Sequence, residues 1–528
     1  MYVRTKVFKN RDGSTRTYLQ LVKAERVNGK VRQRVVANLG RLEHLQKGAL
    51  DKLIEGLVRF SRSEWIRGQA LQMTACRAKS CGCSSVFYRL WQQVGLEEII
   101  TRLHKGSQVE ADINEALFAM VLNRLMEPCS KLMVSQWMRK IYRPQWEGIS
   151  LHHLYKALDF VATHKEHIER FLFHRVRDLF RMELDLVLWD ATTTYFEGRA
   201  AEELARYGFS KDKRPDRLQI MIGVLTTGDG FPIAHEVFAG NTAEVKTFRE
   251  AIRKVKETFR LGRVILVADR GMVSQEVLKE LEKEGLQYIV GVKLRKLKVA
   301  KEVLARAGRY KEVCESLKVK EVVHQGKRYI VCLNPQERER DRAVREEVIE
   351  ELKAKLRSGE RRALIGNRVY RRYLKVGREA LRLNDEKIRQ EALYDGKYVL
   401  LTNSGLDAAE VALSYKGLWM VERAFRELKS TLDLRPVYHW TEKRIRGHVM
   451  VCFLAFMLEM SLRKKLEERD KRVKFRELLI DLEEVRAVEI EVDGKRYVVR
   501  TELQGKASSA FSAVGLRPPP RVMEVPRG

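Results

Sequence analysis

The sequence predicts an α/β protein built on a mixed sheet, and three stretches predict it. LDLVLWDATTTYF, from residue 184, is a β run that delivers Asp190 near its end. RVILVADRG is a near-continuous apolar run, as a strand buried on both faces requires, and it ends at Asp269. YKGLWMVERAFRELK, residues 415–429, reads at helical spacing. Leu418, Val421, Phe425, Leu428 and Leu432 make an apolar face, and Glu422, Arg426 and Lys429 lie beside it, three and four residues apart.

The strands between these landmarks fix an order. LQIMIGVLTTGDGFPIAHEVF reads as two strands around the turn Gly228-Asp229-Gly230. Asn241 and Glu244 form an N-x-x-E capping box that opens the helix EVKTFREAIRKVKETF. After Asp269, Ser274 can cap the helix QEVLKELEKEG, and YIVGVK is one more short strand. The order β-β-β-α-β-α-β, an insertion, then the helix at 415 is that of a ribonuclease-H-like mixed sheet, in which the first and fourth strands are neighbours. Asp190 and Asp269 then meet where α/β sheets place ligands. Two such carboxylates repel, and a divalent cation resolves the conflict; oxygen-only ligation selects magnesium or manganese.

The rest of the chain frames this core. Residues 1–42 form a small β unit around Asn28-Gly29, and residues 43–75 look helical. Residues 1–75 hold 16 Lys+Arg against 6 Asp+Glu, a net of +10. This front unit is either a reader of DNA ends or a structural cap. Amphipathic helices punctuated by Pro128 and Pro144 make residues 43–180 a helical domain for DNA or dimer contact. The core spans 181–293 and 394–467. It is interrupted by an insertion domain, 294–393, with a hairpin at Gln325-Gly326 and a basic stretch holding Tyr370 and Tyr373. That stretch is either a base-stacking surface or a charged scaffold. Residues 468–528 are a helix, a hairpin at Asp493-Gly494 and a loose Pro518–Pro520 tail.

Bulk composition bounds the function. The chain has 528 residues, enough for several domains. Its 102 Lys+Arg against 71 Asp+Glu give a net charge of +31, which implies a polyanionic partner, most simply nucleic acid. MYVRTKVFKNRDG is neither a signal nor a transit peptide, and the apolar run Val449–Leu458 is too short to span a membrane. The expectation is a soluble cytoplasmic protein, nucleoid-associated when bound to DNA. Seven cysteines suit a reducing compartment, and Cys76, Cys81 and Cys83, with His104 nearby, read as free thiols.

The segment Tyr415-x2-Leu418-x3-Glu422-x6-Lys429 resembles the Y-x2-R-x3-E-x6-K signature of cut-and-paste DDE transposases of bacterial insertion sequences, with Leu418 where the signature has arginine. Asp190 and Asp269, 79 residues apart, look like the first two acids, and Glu422, 153 residues further on, like the third. The LG end of the β unit, NRLMEPCSKL and FAGNTAEVKTF also look like this family. The resemblance implies that Asp190, Asp269 and Glu422 hold two divalent ions and cut and join DNA, with a hairpin intermediate. It implies that Tyr415 and Lys429 contact the phosphate of the non-transferred end, with Arg426 favoured over Arg423 in place of the missing arginine. It implies a homodimer that synapses two terminal inverted repeats and joins them to target DNA. It implies an aromatic side chain for a flipped base, for which Trp419 and Trp440 are candidates beside a packing role. His439 and His448 either touch the site or sit in the core. A non-cutting DNA-binding protein and a nuclease that never joins are the competing readings.

Overall fold

The computed structural model describes residues 1–27, 30–45, 49–58, 60, 73–105, 112–180, 185–197, 201–259, 264–270, 272–294, 298–358, 364, 366–376, 381–432, 434, 437–469, 473–492 and 495–524. The turns expected at Asn28-Gly29 and Asp493-Gly494 lie outside them. The chain divides into two compact units. The first comprises residues 1–79, 486–501 and 519–528, and the second residues 80–485 and 502–518.

The first unit is β-rich. Tyr2–Lys9, Thr15–Val27 and Lys30–Arg41 form an antiparallel three-stranded sheet, followed by a helix Ala49–Val58. Residues 73–75, expected in a helix, begin the strand Met73–Ser80 instead. That strand lies in a four-stranded sheet with Arg486–Val492, Lys495–Arg500 and Val522–Glu524. The chain after Pro518 is therefore not loose: its last strand pairs through Tyr497↔Glu524 and Val499↔Val522. A strand partner far away in sequence supplies the hydrogen bonds that a local reading of the tail cannot foresee.

The second unit is organised by nine strands: β1 (Leu186–Tyr195), β2 (Gln219–Thr227), β3 (Pro232–Ala239), β4 (Ile265–Ala268), β5 (Gln287–Gly291), β6 (Lys311–Cys314), β7 (Leu317–His324), β8 (Lys327–Leu333) and β9 (Lys397–Thr402). Their order across one sheet is β6-β7-β8-β9-β5-β4-β1-β2-β3. β1, β4 and β5 run parallel, and every other pairing is antiparallel. The first and fourth strands are neighbours, as the order of elements predicts. The hairpin β7–β8 turns at Gln325 and Gly326, both at positive φ. It adds to the same sheet through β9, so the insertion extends the core sheet as well as interrupting it. Tyr370 and Tyr373 are buried with Leu352 and Leu364 in a small separate core, which rules out the stacking surface considered for them.

Helices cover the sheet. Leu151–Phe180 and Glu442–Glu467 pack on each other and on β3, and Ile113–Met126 packs on both. Glu442–Glu467 is long and apolar enough to cross a membrane, but it is almost wholly buried inside this unit. The junction of helix and sheet is ionic. Glu169, on Leu151–Phe180, takes Lys165 Nζ at 3.0 Å and Lys254 Nζ at 2.8 Å. Glu236, on β3, takes the same two ammonium groups at 2.9 and 2.7 Å. The Glu169 carboxylate also accepts the backbone N–H of His235 at 3.0 Å. Burial alone would raise the Glu169 pKa, yet Lys165 and Lys254 hold it well below the usual carboxylate range. Two carboxylates thus alternate with two ammonium groups in a dry interface, and removing one leaves a buried charge uncompensated. Glu169→Gln is expected to cost about 3–5 kcal/mol, read as a lower urea midpoint; an unchanged midpoint would contradict this role.

Candidate active site

Asp190 owes its place to strand register. β1 and β4 pair in parallel through Leu186↔Ile265 to Trp189↔Ala268, and β4 ends there. The next residue on each strand is an aspartate, so Asp190 and Asp269 emerge side by side. Asp190 is not at the end of its own strand, as the sequence suggested. β1 continues to Tyr195 because β2 still pairs with it through Tyr195↔Gln219. Within β1 the Trp189 ring lies over Gly223, where a Cβ would come within 2.2 Å of it. That close approach packs one of the largest buried side chains directly before the acid.

The third acid arrives on a broken helix. The stretch expected as one helix is divided into Ala408–Lys416, Leu418–Arg426 and a π turn, Glu427–Thr431. Tyr415, Glu422 and Lys429 fall on successive pieces. Leu418–Arg426 packs on β1, and Glu422 is one of the charges acting on the Asp190 carboxyl. Val421, Phe425, Leu428 and Leu432 are buried as the apolar stripe requires, while Leu418 is half-buried. Arg463, on Glu442–Glu467, holds Glu459 at 2.6 Å and approaches Glu427 at 4.0 Å, which ties the end of the Glu422 helix to the core.

The environment of the acids is specific. The Asp190 carboxylate accepts its neighbour Ala191 N–H at 2.7 Å. Lys211 Nζ stands 3.6 Å from Asp190 and 3.6 Å from Glu244. Burial pushes the Asp190 pKa up to about 6 against the pull of Lys211 and the Ala191 N–H, with Asp269 and Glu422 pushing the same way as burial. Asp269 is exposed and accepts the Tyr415 hydroxyl at 2.8 Å. Gly291 makes that bond possible, since a Cβ there would lie 2.5 Å from the hydroxyl oxygen. Burial, and then the Asp269 charge, push the Tyr415 hydroxyl pKa up, so it remains a donor.

The other sequence candidates are placed differently. Lys429 is buried, with its Nζ 2.9 Å from Asp212. Lys429 lies within the π turn, past the end of the Glu422 helix. Arg426 and Arg423 are both exposed, and Arg423 also lines a cavity with Asp229, Arg463 and Lys464. Trp419 and Trp440 are both exposed, which removes the packing role for either. His448 is buried and His439 half-buried. The expected capping box is absent: Ala243 is the N-cap, without a side-chain bond, and Glu244 turns to Lys211. Ser274 caps its helix as expected. Lys211, Asp212 and Glu244 were not foreseen as site residues. The only signal for the first two is a charged pair in an aperiodic loop, and for Glu244 its place in FAGNTAEVKTF.

Three carboxylates without sulfur or imidazole suit a hard divalent cation. Among the described residues no three His, Cys, Asp or Glu side chains stand close enough to hold an ion as they are. Lys211 and the Tyr415 hydroxyl satisfy the aspartates instead.

The Asp190 shift has a sign that can be checked. Its folded value, about 6, lies above the ordinary 3.8, so the cost of its charge is full above pH 6 and is relieved as pH falls from about 6 to 3.8. At about 1.4 kcal/mol per unit this is on the order of 3 kcal/mol. Asp190→Asn is expected to raise the metal-free melting temperature at pH 7.5 and to lose that advantage by pH 4. An equal effect at both pH values would contradict the shift.

Residues 181–458, just over half of the chain, match the family described as transposase DDE domain. Residues 3–69 match the N-terminal domain of IS1634 family transposases. No curated protein matches. Among solved structures, the chain is similar to Mos1 transposase in a paired-end complex with the left transposon end. That similarity has 11% identity and a TM-score of 0.15, over 39% of this chain and 68% of that one.

Proposed function

We propose how this chain cuts and joins DNA from one premise: it belongs to the DDE transposase family. It is a DDE transposase of an insertion sequence, and its family depends on a divalent metal. The observation that carries the site assignment is the parallel register that ends at Trp189↔Ala268 and brings out Asp190 and Asp269 together, with Glu422 acting on Asp190.

In this reading β3-β2-β1-β4-β5 is a ribonuclease-H-like core. Asp190, Asp269 and Glu422 would hold two magnesium or manganese ions, which when bound activate the attacking oxygen and stabilise the leaving one at phosphorus. The chain's own contribution is position and charge. Tyr415 orients the Asp269 carboxylate through its hydroxyl. Lys211 compensates Asp190 until a stronger cation is present. Arg426 meets the phosphate of the non-transferred end, and Lys429 joins it as a point charge once Asp212 releases it. Residues 1–42 recognise the terminal inverted repeat, and residues 43–180 contact DNA or the second subunit. Residues 181–293 with 394–467 carry the chemistry, residues 294–393 are a charged scaffold that extends the core sheet, and residues 468–528 add a helix and a hairpin. A homodimer holds two ends, passes through a hairpin intermediate and joins both to target DNA.

The test is end cleavage. Wild-type protein with magnesium or manganese is expected to nick a terminal-repeat duplex at its boundary and to join a precut end to a target. Asp269→Ala and Glu422→Ala are expected to lower both rates at least about 1,000-fold while leaving duplex affinity within a few-fold. Tight binding without metal-dependent cutting by the wild type would move the reading to a binding protein, and cutting without joining to a nuclease.

A further inference from the structure

The long helix Leu151–Phe180 fastens to β3 through Glu169, but other turns of it carry His167, Arg170 and His174, all exposed, which the mechanism above does not use. With the exposed Arg102 of the helix Leu96–His104 they rim a cavity of about 450 Å³. The rest of its lining is Ile99, Leu103 and Phe171, so the floor is apolar, and no carboxylate lines it. His167 and Arg170 also form a wall of a second hollow, of about 230 Å³, which Arg253 and Thr258 line from the opposite side. The acids of that hollow, Glu166 and Glu257, are taken by Arg253 at 3.7 and 3.0 Å.

The cavity floor is seated by a specific contact. The Arg102 guanidinium lies 4.9 Å from the centroid of the Phe171 ring. The ring itself presses on Gly95, which precedes Leu96–His104 at φ 85, and a Cβ there would come within 2.7 Å of it. Glycine supplies both the left-handed turn and the close approach. Burial, and then the Arg177 and Arg170 charges against the pull of Asp178, hold the His174 pKa below its ordinary value. His174 is therefore a neutral donor at pH 7, and Arg102 and Arg170 carry the charge. The cavity is separate from the carboxylate centre. Glu244, which faces Lys211, opens the helix Glu244–Arg253, and Arg253 closes it. At 1.5 Å per residue the two ends are about 14 Å apart.

Exposed arginines on a basic protein are ordinary. Their arrangement round an apolar hollow of small-ligand size is not. The backbone of a duplex would meet the cations and leave the hollow empty, whereas a single unpaired nucleotide fills both. We propose that this cavity binds a nucleoside phosphate, its base against Leu103 and Phe171 and its phosphate on Arg170, with His167 and His174 as further donors. The contact combines stacking on an aromatic floor with a charge-assisted hydrogen bond. The same unit comes from a free nucleotide or from an unpaired strand end, and only the second source rests on the transposase reading.

The experiment uses the full chain in chelator, so that divalent ions play no part. 2′-Deoxyadenosine 5′-monophosphate is expected to raise the melting temperature more than deoxyadenosine or inorganic phosphate at the same concentration. Arg170→Gln, at an exposed position, is expected to weaken the nucleotide about 10-fold by calorimetry. Arg476→Gln, which removes an exposed cation elsewhere, should leave it unchanged. Leu103→Ser should narrow the gap between the nucleotide and inorganic phosphate, which a plain patch of charge would not do. Equal losses in Arg170→Gln and Arg476→Gln, or equal stabilisation by nucleotide and inorganic phosphate, overturn the site. Arg170-dependent binding of a hexaglutamate peptide without binding of the nucleotide overturns it in favour of an acidic protein partner. A duplex with a 5′-phosphorylated unpaired end, bound more tightly than a blunt one by the wild type but not by Arg170→Gln, identifies the strand end as the source. Equal affinity for both duplexes, with nucleotide binding intact, identifies the free nucleotide. Failure of end cleavage in the wild type would leave the nucleotide result standing and count only against the transposase reading.

Discussion

Two carboxylates of like charge are placed on adjacent strands by nothing more than the point at which β4 stops pairing with β1. That constraint governs the surroundings. The strands are fixed by backbone hydrogen bonds and by Trp189 seated over Gly223, so the acids cannot relieve their repulsion by drifting apart. Relief has to come from outside. Lys211 approaches Asp190, the Tyr415 hydroxyl donates to Asp269, and the Asp190 carboxyl is poised to take a proton near pH 6. Each offsets part of that repulsion.

Holding such a site open requires a stiff support, and the charge networks beneath it supply that. The alternating Glu169, Lys254, Glu236 and Lys165 fasten the long helix to β3, and Arg463 fastens the Glu422 helix to Glu442–Glu467. The buried Glu169 network favours one arrangement, because shifting the long helix against β3 strands a charge. Asp212 beside Lys429 and Lys211 beside Asp190 are neighbours in one loop.

The placement of Asp190, Asp269 and Glu422 on two strands and a helix was legible because each belongs to a strong periodic pattern: Asp190 and Asp269 end apolar runs, and Glu422 borders a helical stripe. Lys211 and Asp212 were not, since they lie in an aperiodic loop and their partners are distant in sequence. Lys429 was legible as a residue but not as a buried one. It lies in a π turn, where a spacing of 3.6 residues does not hold, and its partner Asp212 is distant in sequence. Asn241 and Glu244 satisfied a capping pattern, yet the attraction between Glu244 and Lys211 prevailed over the cap. The strands β7 and β8 were visible as a hairpin, but their union with β9 depends on long-range pairing, which local pattern does not encode. The tail was misjudged for the same reason.

The central claim is that Asp190, Asp269 and Glu422, from two strands and a helix, make one metal centre. The most direct measurement is anomalous scattering from manganese in crystals of the protein bound to a terminal-repeat duplex. The account predicts manganese peaks in contact with all three carboxylates, with Lys211 withdrawn from Asp190. Manganese confined to other positions, with Lys211 still against Asp190 in the DNA complex, would contradict it.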